Sequence, residues 1–396
     1  MIKSLFNKNY LFYGGSIIIS RGLEYLIIFY AAKTLAKEVY GEFEFFKKVV
    51  EIGSNILSFG FPALILSYTK SLDSKVYFYL LSIVCVFLFS GLFLVFGFFN
   101  SVYFLLLICL IFYALYFTGG VSQSFQLVEK GSNYASLYKI VISILYFAGV
   151  FLCLNFLETK SYSILYPAII LLPAGILFSY FELKHYHIKL AKAKKYWRLF
   201  KKLLNKSMTL VVSNFANLMF LYTDIFILKL LSKNANSEIA DFSFAVNIAS
   251  LLLIIPMTLI QVEIEKLKHE KNFIYTLNKR INLLTILSSV ALIISYLILI
   301  NYLYVEYDNT FYLFLIILVG KVFLTLSNLF GTKLVILKKF TLNLKINILF
   351  LVLNILAAFL FYVLFGIIGL CISSSLMIGF RYVCLVLFIK KFNKVS

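Results

Sequence analysis

The 396 residues are 62% hydrophobic, 18% aromatic and only 14% charged, with a mean hydropathy of +0.96. A soluble globular domain uses about 45–50% apolar and about 25% charged residues, so the composition excludes one and requires an all-α chain that crosses a bilayer many times. The net charge of +20 does not point to nucleic acid, because the basic residues stand in loops beside apolar stretches, where they set topology and meet anionic inner-leaflet lipid.

At about 20 apolar residues per crossing, the chain divides into twelve predicted helices: 11–32, 48–68, 76–99, 102–122, 134–156, 162–181, 207–231, 242–262, 281–303, 311–333, 346–365 and 366–389. The first outruns the about 7–15 residues of a signal-peptide core, and no cleavage pattern follows Leu35, so a retained helix is expected. It carries Arg21 and Glu24 at i, i+3, on one face where they can pair. Tyr40-Gly41-Glu42-Phe43-Glu44-Phe45 then reads as an acidic outer loop. The second helix holds Glu51, which either joins a polar interior or pairs with Lys47 or Lys48, and Pro62. Lys139 opens the fifth helix and either faces the interior or snorkels inward.

Nine basic residues from Lys184 to Lys206 occupy the midpoint. Leu190, Ala193, Trp197, Phe200 and Leu204 recur among them at helical spacing, which predicts a basic amphipathic helix on the anionic inner leaflet. The expected organisation is therefore a six-helix lobe over 1–181, a cytoplasmic linker over 182–206 and a second six-helix lobe over 207–396. The seventh helix holds Asp224; Ile239-Ala240-Asp241-Phe242-Ser243-Phe244 repeats the pattern of residues 40–45, and Pro256 follows as Pro62 does. Lys321 lies mid-way in the tenth helix, and Arg381 follows Ser373-Ser374-Ser375 in the twelfth. The helix boundaries near Asn100 and Gly366 have almost no polar punctuation.

With both termini inside, 27 basic residues fall on the inner side and seven on the outer, as the preference of positive loops for the cytoplasm requires. The outer loops are short and leave no room for an external catalytic domain. The five cysteines lie in apolar stretches without CxxC spacing, and His185, His187 and His269 are in polar loops, so no metal or other cofactor is expected. No GxxxxGK[ST] is present either, which leaves an H⁺ or Na⁺ gradient as the source of work.

A charge at mid-bilayer costs at least about 2.5–3.5 kcal/mol and normally faces the protein interior or water. Arg21, Lys321, Arg381 and Lys139 thus frame a cavity suited to an anionic group, while Glu24, Asp224 and Glu51 either carry a coupling ion or form structural pairs with the cations. Pro62 and Pro256 are hinges in matching helices or static kinks.

The sequence resembles the polysaccharide-exporter branch of the multidrug/oligosaccharidyl-lipid/polysaccharide superfamily, and within it the Wzx-type O-antigen flippases. The resemblance is carried by Arg21-Gly22-Leu23, Ala31-Ala32-Lys33-Thr34-Leu35, Tyr40-Gly41-Glu42-Phe43, Gly60-Phe61-Pro62-Ala63, Asp224-Ile225-Phe226-Ile227 and Ala240-Asp241-Phe242. It implies a twelve-helix, two-lobed, monomeric protein of the bacterial inner membrane. Such a protein moves an undecaprenyl-pyrophosphate-linked oligosaccharide between leaflets by alternating access and hands it to polysaccharide polymerase machinery. Two alternatives stay open, a multidrug or cation antiporter of the same superfamily and an integral-membrane polymerase or ligase of lipid-linked sugars.

Overall fold

The computed structural model describes residues 8–69, 71–97, 101–186, 189–270 and 273–395. Lys3, Lys70, His187 and Lys271, expected in inner loops, lie outside the described residues. The described chain is helical with no strand. In order, its helices are α1 (Lys8–Thr34), α2 (Lys37–Ser58), α3 (Phe61–Tyr68), α4 (Leu72–Gly97), α5 (Ser101–Leu115), α6 (Val121–Glu129), α7 (Ser132–Phe156), α8 (Pro167–Lys184), α9 (Leu190–Leu231), α10 (Ala235–Ser250), α11 (Ile254–Val262), α12 (Ile264–His269), α13 (Phe273–Ile298), α14 (Phe311–Ile336) and α15 (Phe340–Val395).

Among the described residues nine helical segments are long and apolar enough to cross a membrane, and the pair α2–α3, bent by 51°, makes ten. The shorter apolar α5 adds another. Helix α15 is two passes, because Gly366 interrupts it at φ 61°, ψ −149°, a backbone region open essentially to glycine alone. Its arms return antiparallel: the Arg381 Nη2 donates to Asn347 Oδ1 at 3.0 Å across the turn. These segments correspond to the twelve in the apolar pattern.

The helix boundaries differ from expectation in three places. The acidic stretches at 40–45 and 239–244 are helical, not loops; Glu38 and Glu238 occupy the first turns of α2 and α10, where carboxylates favour helix initiation through the peptide dipole. The predicted helix 102–122 stops at Leu115, and a turn with Gly119 at φ 83° leads into α6. Finally, α9 runs unbroken for 42 residues, so the predicted linker helix and the predicted seventh span are one element.

The chain forms two compact units, the first up to Ala31 and from Phe46 to Val211, the second over Ala32–Phe45 and from Val212 onward. The division thus falls inside α9, beyond the expected linker. The physical cause lies in Phe200 of the linker's apolar stripe and its neighbour Tyr196, which dock within the first unit, while Trp197 stays exposed. Phe200 is buried against Phe61 and Phe78, at 5.5 and 5.4 Å between ring centroids, and Tyr196 stacks on Tyr77 at 4.7 Å. Lys192 pairs with Asp73 at 2.6 Å. Lys194, Lys195, Lys201 and Lys202 remain exposed.

Residues 32–45 join the second unit through close packing on α10. A Cβ on Gly41 would lie 1.7 Å from the Asn236 carbonyl oxygen, so only glycine permits this approach. Lys37 pairs with Asp241 at 2.7 Å, and Asn247 donates to the buried Glu44 at 3.1 Å. The two similar sequence segments are therefore packed on each other.

Candidate functional site

In the first unit α1, α2 and α7 bring charged residues together. Ser20 and Ser143 hydroxyls hydrogen-bond at 2.8 Å and Tyr30 donates to Asn155 at 2.6 Å, fastening α1 along α7. Lys139, one turn before Ser143, thereby comes under the electrostatic influence of Arg21 and Glu24. The Glu24 carboxylate accepts from Arg21 at 2.7 Å and pairs with Lys47 at 3.5 Å, while Lys48 pairs with Glu51 at 3.1 Å. Lys47 and Lys48 are buried, whereas the Arg21 side chain is 59% exposed. Among the described residues four cations thus face two carboxylates, and Arg21 carries more donors than its bond to Glu24 uses.

A pair between Glu51 and Lys47 or Lys48 was one of the two expectations for Glu51, but the burial of both lysines and the pairing of Lys47 with Glu24 were not expected, since a helix starting at 48 places them at its outer end. With α2 starting at Lys37 they lie nearly three turns inside it. The acid at Glu38 is the sequence signal that marks the earlier start.

In the second unit Asp224 of α9 is buried, and the Ser374 hydroxyl lies 2.6 Å from each of its carboxylate oxygens. Asp224, Lys321, Asn354, Cys371 and Ser374 line a cavity of about 40 Å³, floored in part by Phe220 and Ile378. A water needs about 10–15 Å³ of such space, so the cavity has room for a few water-sized groups beside the Asp224 carboxylate. Gly320 makes this possible: Ser375 Oγ would lie 2.6 Å from a Cβ there, and the close approach of α14 to α15 places Lys321 in the wall. Asn354, a lone amide in an apolar run two turns from Asn347, was not expected at the site.

Arg381 is buried elsewhere in the second unit, bound to Asn347 and lying over the Phe220 ring at 5.4 Å. Arg21, Glu24, Glu51 and Lys139 therefore gather in one unit, and Asp224, Lys321 and Arg381 in the other. Pro62 follows the left-handed Phe59 and Gly60 at the α2–α3 bend, and Pro256 follows the 3-10 turn Leu251–Leu253 between α10 and α11. Each proline marks an interruption of the corresponding span. Among the described residues no three or more His, Cys, Asp or Glu are grouped to hold a metal ion.

Outside the spans, Lys130 donates to Glu182 at 2.6 Å; burial pulls its ammonium down, but the hydrogen bond and charge of Glu182 outweigh this and hold it above the ordinary lysine range.

A family described as polysaccharide biosynthesis protein matches residues 6–264, well over half of the chain. The chain belongs to this family. No curated protein matches it. Among solved structures it is similar to the lipid II flippase MurJ in an inward closed conformation, with TM-score 0.67 and 17% identity over 96% of this chain and 87% of that one. An inward-facing multidrug resistance MATE family transporter of the MOP superfamily gives TM-score 0.65 and 14% identity, over 94% and 96%. A variant of the Vibrio cholerae MATE transporter VcmN gives 0.59 and 13%, over 100% and 97%. The protein is thus a multi-pass membrane protein of the polysaccharide biosynthesis family that shares the fold of these structures.

Proposed function

We propose that the protein is a flippase that carries an undecaprenyl-pyrophosphate-linked oligosaccharide, an O-antigen or similar surface-polysaccharide repeat, from the inner to the outer leaflet of the bacterial inner membrane. The observation that carries this reading is the excess of cations over carboxylates around Arg21, in a member of a polysaccharide biosynthesis family.

A pyrophosphate offers the charge that this cluster lacks. Arg21 presents a planar fork that matches phosphate oxygens bidentately, and Lys139 adds a point charge beside it. Glu24 holds Arg21 in place between substrates, so the phosphate exchanges one anionic partner for another and no bare cation is left in the membrane. The lipid tail stays in the bilayer. In the second unit Asp224 takes the coupling H⁺ or Na⁺ with Ser374 and Asn354 as neighbours, and an arriving cation weakens the attraction of Asp224 for Lys321. Pro62 and Pro256 supply the bends that alternating access uses. Both termini and the 182–206 segment face the cytoplasm, the working form is a monomer, and the product passes to polymerase machinery outside.

The competing reading, a multidrug or cation antiporter, is favoured by the small acid-lined cavity at Asp224. Purified protein in liposomes, supplied with a fluorescent lipid-linked diphospho-oligosaccharide, separates them. Substrate should appear in the opposite leaflet, and Arg21→Ala with Lys139→Ala should slow it at least about tenfold while the protein stays folded. Cation-driven drug efflux with no lipid translocation would establish the antiporter instead.

A further inference from the structure

Burial of Arg381 gives it a different task from substrate contact. We propose that Arg381 is an electrostatic plug, which prevents cations from leaking through the second unit between the Asp224 cavity and the end that carries Lys338, Lys339, Lys345 and Lys390. The proposal rests on Asp224 as the coupling-ion site.

Polar groups on three packed segments form two levels. Asp224, Asn354 and Ser374 make the first, at the cavity. Two or three turns further along the same segments, Ser213, Asn347 and Arg381 make the second; Asn347 donates to the Ser213 hydroxyl at 2.9 Å and accepts from Arg381 at 3.0 Å. Ser213, Asn217, Phe220 and Asp224 share one face of α9. Asn217 Oδ1, Asn354 Oδ1, and Arg381 Nε and Nη1 are buried with no hydrogen-bond partner among the described residues. Unsatisfied groups in an apolar core are costly and are commonly met by water or ions, so this stripe is the path by which a cation from Asp224 could cross the unit.

Phe220 and Ile378 line the cavity and belong to a buried apolar cluster of this unit. Beneath them stands a guanidinium that cannot lose its charge, fixed by Asn347 and by the face of the Phe220 ring. It has no ion pair among the described residues, so its positive field is not cancelled there. Ser374 and Arg381 are seven residues apart on one helix, roughly 10 Å. At that distance and an effective dielectric of about 20, one positive charge disfavours another by roughly tenfold or slightly more.

The test measures ²²Na⁺ and proton entry into liposomes holding the purified protein without lipid-linked substrate. Arg381→Gln should raise entry about tenfold over wild type, and Arg381→Lys, which keeps the charge, should stay near wild type. Asp224→Asn added to Arg381→Gln should suppress the leak, since the path begins at that carboxylate. A folded Arg381→Gln protein no leakier than wild type overturns the proposal, as does equal leakage through Arg381→Lys. Ile378→Ala, which leaves the Asn347 bond and the Phe220 ring in place, tests it independently of whether Arg381→Gln folds: with the charge in place no leak is expected, and a leak would assign the barrier to apolar bulk alone. If Asp224→Asn leaves substrate translocation ion-coupled, Asp224 is not the coupling site, and that outcome is read separately from the leak through Arg381→Gln.

Discussion

At the scale of single residues, the intramembrane charges divide into those that share partners and those held in place by neutral groups. Glu24 is shared by Arg21 and Lys47, whereas Asp224 is bonded by Ser374 and acted on by Lys321 across a small cavity. Asp224 is buried, and removing the half-buried cation that acts on it leaves its charge less compensated, which destabilises the fold. Lys321→Ala should therefore lower the amount of folded protein in the membrane. Asp224→Asn in the same chain should restore abundance without restoring transport, since no stranded charge remains but the coupling group is gone. Membrane abundance and thermal stability of the two single variants and the double variant form the measurement; additive losses would show that the two side chains do not interact.

At the scale of elements, the decisive features are breaks. Gly366 turns one apolar run into a hairpin, and Gly41 lets α2 touch α10. Gly366→Ala should destabilise by about 1–3 kcal/mol, because the φ and ψ there admit essentially only glycine. Gly331→Ala, within regular α14 and with nothing within 4 Å of the new Cβ, should be neutral or stabilising by up to about 1 kcal/mol. Thermal unfolding in detergent checks both, and equal effects would remove the special role of the turn. The turn was hard to place from sequence because Phe365-Gly366-Ile367 has no charge, proline or polar pair to punctuate it. The start of α2 was misplaced for the opposite reason: an acid-rich segment reads as a loop when its charges are counted, and as a helix start when they are set against the peptide dipole.

At the scale of the whole molecule, the basic residues argue for a single orientation. Reporters fused after Ser396 and near Lys195 should both be active only in the cytoplasm, and periplasmic activity at either position would reverse the topology. The exposed lysines of α9 stand beside Phe200 and Tyr196, whose ring contacts hold the helix to the first unit. The docking of this helix was legible as amphipathicity, but an apolar stripe does not state whether lipid or protein will cover it.

Composition and charge order alone determined that the chain is a helical membrane protein with some twelve apolar segments, and they singled out Arg21, Glu24, Asp224, Lys321 and Arg381. These are local properties: hydrophobic length is set by bilayer thickness, and a charge within such a length is costly wherever it faces. Which charges share a site is not local. That Lys47 and Lys48 join Arg21, that Asn354 and Ser374 join Asp224, and that Arg381 binds Asn347 depend on which faces of separate helices meet, and close approaches at glycines such as Gly320 and Gly41 are decided only when the helices pack.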